Sequence, residues 1–101
     1  MPANFQSTPD SQQNWTLAQD MKVKLRQGFA SNLKKGTVWK QVGHIEQGDV
    51  FRTGDQVVTV EASNQYEAYL VVNNGMAMGF YLPVEKTFTA ADPPIAIKTT
   101  P

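Results

Sequence analysis

The chain has 101 residues, nine basic and nine acidic side chains, a formal net charge of zero, 41% apolar residues and no cysteine. That length supports one domain with a modest core, and the apolar fraction favours folding over disorder. Charge balance argues against a nucleic-acid partner, whose domain is ordinarily basic; the missing thiols exclude disulfides and cysteine nucleophiles, and no apolar run approaches the roughly 18 residues of a membrane span.

Residues 1–14 are rich in Gln, Ser, Pro and Asn, lack periodicity and read as a flexible N-terminal arm. A single domain is expected over 15–98, with a short tail over 99–101. Trp15 to Leu25 mixes helical and strand periods, but Met21-Lys22-Val23-Lys24-Leu25-Arg26 alternates strictly, which favours a half-buried strand. Strands are predicted over 21–27, 37–42, 49–53, 56–62, 66–73, 76–82 and 95–97. Turn chemistry separates them at Lys35-Gly36, Gln47-Gly48, Thr53-Gly54-Asp55, Ser63-Asn64 and Asn74-Gly75. Many short strands with regular turns indicate an all-β barrel or sandwich.

Asn74-Gly75 is the sharpest local signal, because a two-residue hairpin turn needs positive φ at both central positions. It sets Asn73 against Met76. Uninterrupted pairing then places Val71 opposite Met78 and Tyr69 opposite Phe80 on one face. On the other, Val72 faces Ala77, Leu70 faces Gly79 and Ala68 faces Tyr81. Both faces are apolar, so both need cover. The Tyr69, Val71, Met78, Phe80 side is expected to be the core. Leu70, Val72, Ala77 and Tyr81 form the second face. It is covered either by the chain itself, through Trp15 or Ile95-Ala96-Ile97, or by a partner or second copy.

Val42-Gly43-His44-Ile45-Glu46-Gln47-Gly48-Asp49-Val50 resembles the Val-Gly-x-Leu-x-x-Gly-x-x-Val stretch in the middle of bacterial SH3-like domains. Asn74-Gly75 followed by Gly79-Phe80-Tyr81-Leu82 is similar to that family's closing hairpin, and Leu25-Arg26-Gln27-Gly28 to its opening Val-Arg-x-Gly motif. The family's Gly-Pro after the opening motif is missing, and the spacing from Gly28 to Gly43 is longer than usual. The Gly-Phe-Tyr-Leu-Pro-Val-Glu run also resembles the mature part of small proteobacterial envelope lipoproteins. These likenesses imply a small SH3-like barrel of five to seven antiparallel strands. They imply a non-catalytic module in the periplasm or cell envelope rather than the cytoplasm.

Chemistry is sparse. His44 is the single histidine, with Glu46 and Asp49 near it, a set that would hold a metal weakly at best. Ser31 and Ser63 fall in expected turns without a nucleophile elbow, and Asp49 and Asp55 are explained as turn residues. No catalytic residue, metal site or cofactor is therefore assigned. Charge is uneven: from Met21 to His44 there are six cations and no acid, and from Ile45 to Asp92 seven acids against Arg52 and Lys86. Two accounts stand: basic strands pairing with acidic ones across the sheet, or an anion-binding stripe for phosphate-rich envelope polymers or nucleic acid. Among the aromatics, Trp39 beside Lys40, with Tyr66 and Tyr81, is the candidate groove for an extended ligand. The expected function is a binding or assembly module recognising a peptide, wall polymer or protein partner there. The alternatives are a structural homo-oligomer joined through Leu70, Val72, Ala77 and Tyr81, and a small enzyme with a site between subunits.

Overall fold

A computed structural model describes residues 2–7, 14–26, 28, 30–53, 59–60 and 66–100. Twelve strands occur among them. They are β1 (Gln6–Ser7), β2 (Asn14–Leu17), β3 (Met21–Lys24), β4 (Ala30–Leu33), β5 (Val38–Ile45) and β6 (Gly48–Thr53), followed by β7 (Thr59–Val60), β8 (Tyr66–Glu67), β9 (Tyr69–Asn73), β10 (Met76–Leu82), β11 (Thr87–Ala96) and β12 (Thr99–Thr100). The fold is all-β and antiparallel. The main sheet runs β11-β10-β9-β6-β5-β2-β12, with β1 also on β5; β3–β4 and β7–β8 form two-stranded ribbons. The strand count exceeds the five to seven expected. β1, β2, β4 and β12 were not foreseen, the last in the stretch read as a tail, and the 95–97 segment falls at the end of a strand that starts at Thr87. Short polar strands such as Ala-Ser-Asn-Leu at 30–33 carry little β signal and depend on tertiary pairing.

Strict alternation in β3 does what it predicts: Met21 and Val23 point inward, Lys22 and Lys24 outward. The hairpin turn also forms where expected, with φ of 53° at Asn74 and 74° at Gly75, and with Asn73 opposite Met76. The register beyond it differs. Ala77 faces Val72, but a bulge at Met78 then sets Gly79 opposite Val71, Phe80 opposite Leu70 and Tyr81 opposite Tyr69. A one-residue slip sends each later side chain to the other face. Phe80 therefore joins Leu70 and Ala77, while Tyr81 joins Val71, Tyr69 and Met78.

Both faces of the hairpin are dry. The first carries Leu70, Ala77, Phe80, Phe51 and Trp39, and the β3–β4 ribbon lies over it with Met21, Val23, Leu25 and Leu33. Trp15, Ile95 and Ile97 seal its margin. The second face gathers Ile45, Val50, Val71, Tyr81 and Phe88, covered by Ala3 and Phe5. Residues 2–7, inside the stretch read as a flexible arm, thus lie on the sheet. Pro2 bridges Thr87, the Ala3 N–H donates to the Lys86 carbonyl at 3.2 Å, and Gln6 and Ser7 pair with His44 and Gly43. The arm's alternation of half-buried Ala3 and Phe5 with exposed Pro2, Asn4 and Gln6 is strand-like. Residues 8–13 are outside the described residues.

Candidate functional site

The aromatic groove does not assemble. Trp39 is 1% exposed in the first cluster, stacked on Trp15 at 5.7 Å, and its indole N–H is buried with no acceptor among the described residues. Tyr81 is 4% exposed in the second cluster, stacked on Phe5 at 5.1 Å and 13°. The sheet separates the two rings, so they cannot line one surface. Burial pushes the Tyr81 phenol above its ordinary pKa. Lys40 is exposed on β5, and Tyr66 lies on β8 with its side chain outside what is described. The correction has a simple origin: an aromatic on a strand of a small domain stabilises most by filling the core.

The partner face is corrected in the same way. Leu70 and Ala77 are fully buried, Val72 is half-buried and Tyr81 nearly enclosed, all by this chain's own residues. Of the two covers considered, Trp15 and the Ile95–Ile97 segment supply that of the first face. Phe5, which the sequence analysis did not single out, supplies that of the second. Its signal was a lone aromatic two positions after Ala3 in an otherwise polar stretch.

His44 stands directly opposite Asp49 on the β5–β6 pair, while Glu46 sits in the turn between those strands. Among the described residues no group of three His, Asp or Glu side chains is placed to hold a metal. Ser31 is buried in β4 rather than held in a turn; Ser63 and Asp55 lie outside the described residues. No helix in the described residues is long and apolar enough to cross a membrane.

The surface also carries charge, and its arrangement bears on the two accounts given above. Among the described residues the basic strand positions are not paired with acidic ones. Lys22 is opposite Asn32, Lys24 opposite Ala30, and Lys40 lies between Asn14 and Arg52. The Lys40–Arg52 pair is like-charged, an unfavourable cross-strand combination. Lys22 and Lys24 are exposed on the outer side of the β3–β4 ribbon, and Arg26 is exposed in the turn just beyond it. The two lysines lie about 6.7 Å apart along the strand. Beside them a shallow depression of about 250 Å³ is lined by Asp20, Met21, Lys22, Asn32, Leu33 and Lys34. Asp20 is engaged there, accepting the Lys35 backbone N–H at 2.7 Å. Residues 20–35 hold five cations and one carboxylate. The ribbon's inner side chains are core, so its outer side is the one free to carry this charge. Comparisons with protein-family models, curated proteins and solved structures found no match to this chain.

Proposed function

We propose that this chain is a non-catalytic binding module of the bacterial cell envelope, and that it holds an anionic, phosphate-rich envelope polymer on the outer face of the β3–β4 ribbon. The observation that carries the reading is the exposed group Lys22, Lys24 and Arg26, of which Lys22 and Lys24 face the neutral Asn32 and Ala30 across the ribbon. Exposed cations left without an opposing acid create a local positive field and a site for counterion exchange. The envelope setting rests on the resemblance of the 42–50 and 79–85 stretches to SH3-like domains and envelope lipoproteins. The SH3-like barrel is the architecture we infer with it. In its favour are the antiparallel sheet, the tight Asn74-Gly75 hairpin and an N-terminal strand reaching from β5 to the start of β11.

Titration with inorganic polyphosphate, and with dextran as a neutral control, tests the reading. Binding is expected for polyphosphate alone and should weaken linearly in log salt. Replacing Lys22, Lys24 and Arg26 by Gln should flatten that slope by about two units, taking roughly 0.7 per contact as for single-stranded polyanions. Stability should change by no more than about 0.5 kcal/mol, since all three side chains are exposed. Equal binding by the triple variant, or no preference for polyphosphate over dextran, overturns the proposal. Tighter binding to single-stranded DNA than to polyphosphate would transfer the site to nucleic acid and overturn it as well.

A further inference from the structure

The arm over the second face has the form of a bound ligand. Phe5 lies flat on Tyr81 and fits only because position 43 is glycine: a Cβ there would meet the Gln6 carbonyl and come within 2.5 Å of Phe5 Cζ. Gln6 and Ser7 extend the sheet at the β5 edge, and the other end is tied by one hydrogen bond to Lys86 and one bridge to Thr87. Backbone pairing plus one aromatic in a slot is how an added strand is recognised at a sheet edge. The seat is loosely finished, since a depression of about 160 Å³ remains between Pro2, Ala3 and Asn4 and the Glu46–Gln47 turn.

The path to β2 is longer than the register needs. β1 and β2 lie along the same edge of β5, in the same direction, with Ser7 opposite Gly43 and Asn14 opposite Lys40. Three positions of β5, about 10 Å, are thus spanned by seven residue steps, whose extended length is about 23 Å. The arm can leave its own seat and reach another without disturbing β2.

We propose that the cleft over Gly43 and Tyr81 is a strand-acceptor site whose occupant can be residues 2–7 of a second copy, so that two chains exchange arms. Exchange re-forms every contact the arm makes in its own chain, which makes it a low-cost route to a dimer. Joined to β2 by only seven residue steps, the arm is held at an effective concentration on the order of millimolar. The closed monomer therefore dominates at micromolar protein, and exchange sets in toward millimolar.

The chain has no cysteine, so a pair can be introduced without competition. Gln6 and His44 are directly opposite and both exposed. Their Cα separation as cross-strand neighbours, about 4.5–5.5 Å, suits a disulfide. The full chain carrying Gln6→Cys and His44→Cys is oxidised with glutathione disulfide at about 10 µM and at about 1 mM, then run without reductant. The expected result is an internally bridged monomer at the low concentration. At the high one, a substantial fraction should be covalent dimer with no free thiol. Adding Phe5→Ala should lower both products several-fold. Monomer alone at about 1 mM overturns the exchange. So does failure of the internal bridge at about 10 µM, because β1 would then not be seated on β5. A Gln6→Cys, Glu85→Cys control that dimerises as efficiently would show random collision and overturn it too. These readouts are independent of polyphosphate binding.

Discussion

The bulge at Met78 rests on Gly79, and substitution there should be far more damaging than at the neighbouring turn glycine. Gly79 has a φ of 149°, outside the range side chains ordinarily tolerate, and an added Cβ would collide with the Thr89 carbonyl oxygen and approach Ala90 Cα and Ala91 N at 3.0 Å. The conformational part costs on the order of 1–3 kcal/mol. The collision is with backbone of the paired strand, so β11 must shift, weakening one or two ladder hydrogen bonds worth about 0.5–1.5 kcal/mol each. Gly79→Ala should therefore destabilise by about 3–5 kcal/mol. Gly75→Ala is the matched control, with a φ of 74° but nothing within 4 Å of the new methyl group. It should cost about 1–2 kcal/mol for the left-handed conformation alone. At about 4–8 °C per kcal/mol for a domain of this size, Gly75→Ala lowers Tm by about 4–16 °C and Gly79→Ala by at least about 12 °C. Urea denaturation followed by tryptophan fluorescence gives both free energies on one scale. Equal losses for the two variants, or a Gly79→Ala loss below about 1 kcal/mol, would refute the reasoning. The strand would then pair without its bulge, with Phe80 and Tyr81 changing clusters.

Two further outcomes follow from particular side chains. Burial raises the Tyr81 pKa in the folded state, so the folded chain holds the proton more tightly than the unfolded one. Stability is then complete below the unfolded value of about 10 and falls as pH rises above it. Tyr81→Phe should flatten that alkaline decline in pH-dependent Tm measurements, and an unchanged slope would contradict it. At the Lys40–Arg52 pair, Lys40→Glu converts a like-charged cross-strand pair into an opposite one. It should stabilise by about 0.2–1 kcal/mol at low ionic strength, a gain that disappears near 1 M salt as screening sets in. A loss of stability at low salt would count against the register.

Local patterns were legible wherever one residue type answered one backbone demand. Alternation in 21–26 predicts β3 and the burial of Met21, Val23 and, just past the strand, Leu25, because period two has only one half-buried solution. Asn74-Gly75 predicts its turn, because few other pairs accept positive φ twice. The apolar character of both hairpin faces predicts that both are covered. The all-β class follows from the same signals. The uneven charge was visible too, but which strands would meet was not. Lys22 facing Asn32 and Lys40 facing Arg52 are facts of pairing between segments that no local pattern specifies.

The remaining decisions were tertiary. The Met78 bulge moves Phe80 and Tyr81 to opposite clusters because β11 crowds Gly79, a contact between positions ten or more residues apart. Trp39 left the expected groove because it is buried in the core and stacks at 5.7 Å on Trp15, whose ring in turn meets Phe51 edge-on at 5.5 Å. Phe5 looked like part of a polar tether until Gly43 and Tyr81 made a slot for it. Sequence by itself determined which segments want to be strands and where the chain turns, since those preferences lie in single residues and their immediate neighbours. Which strand lies beside which, and so which aromatics are hidden and which cations stay outside, was decided only when distant segments competed for the same apolar surface.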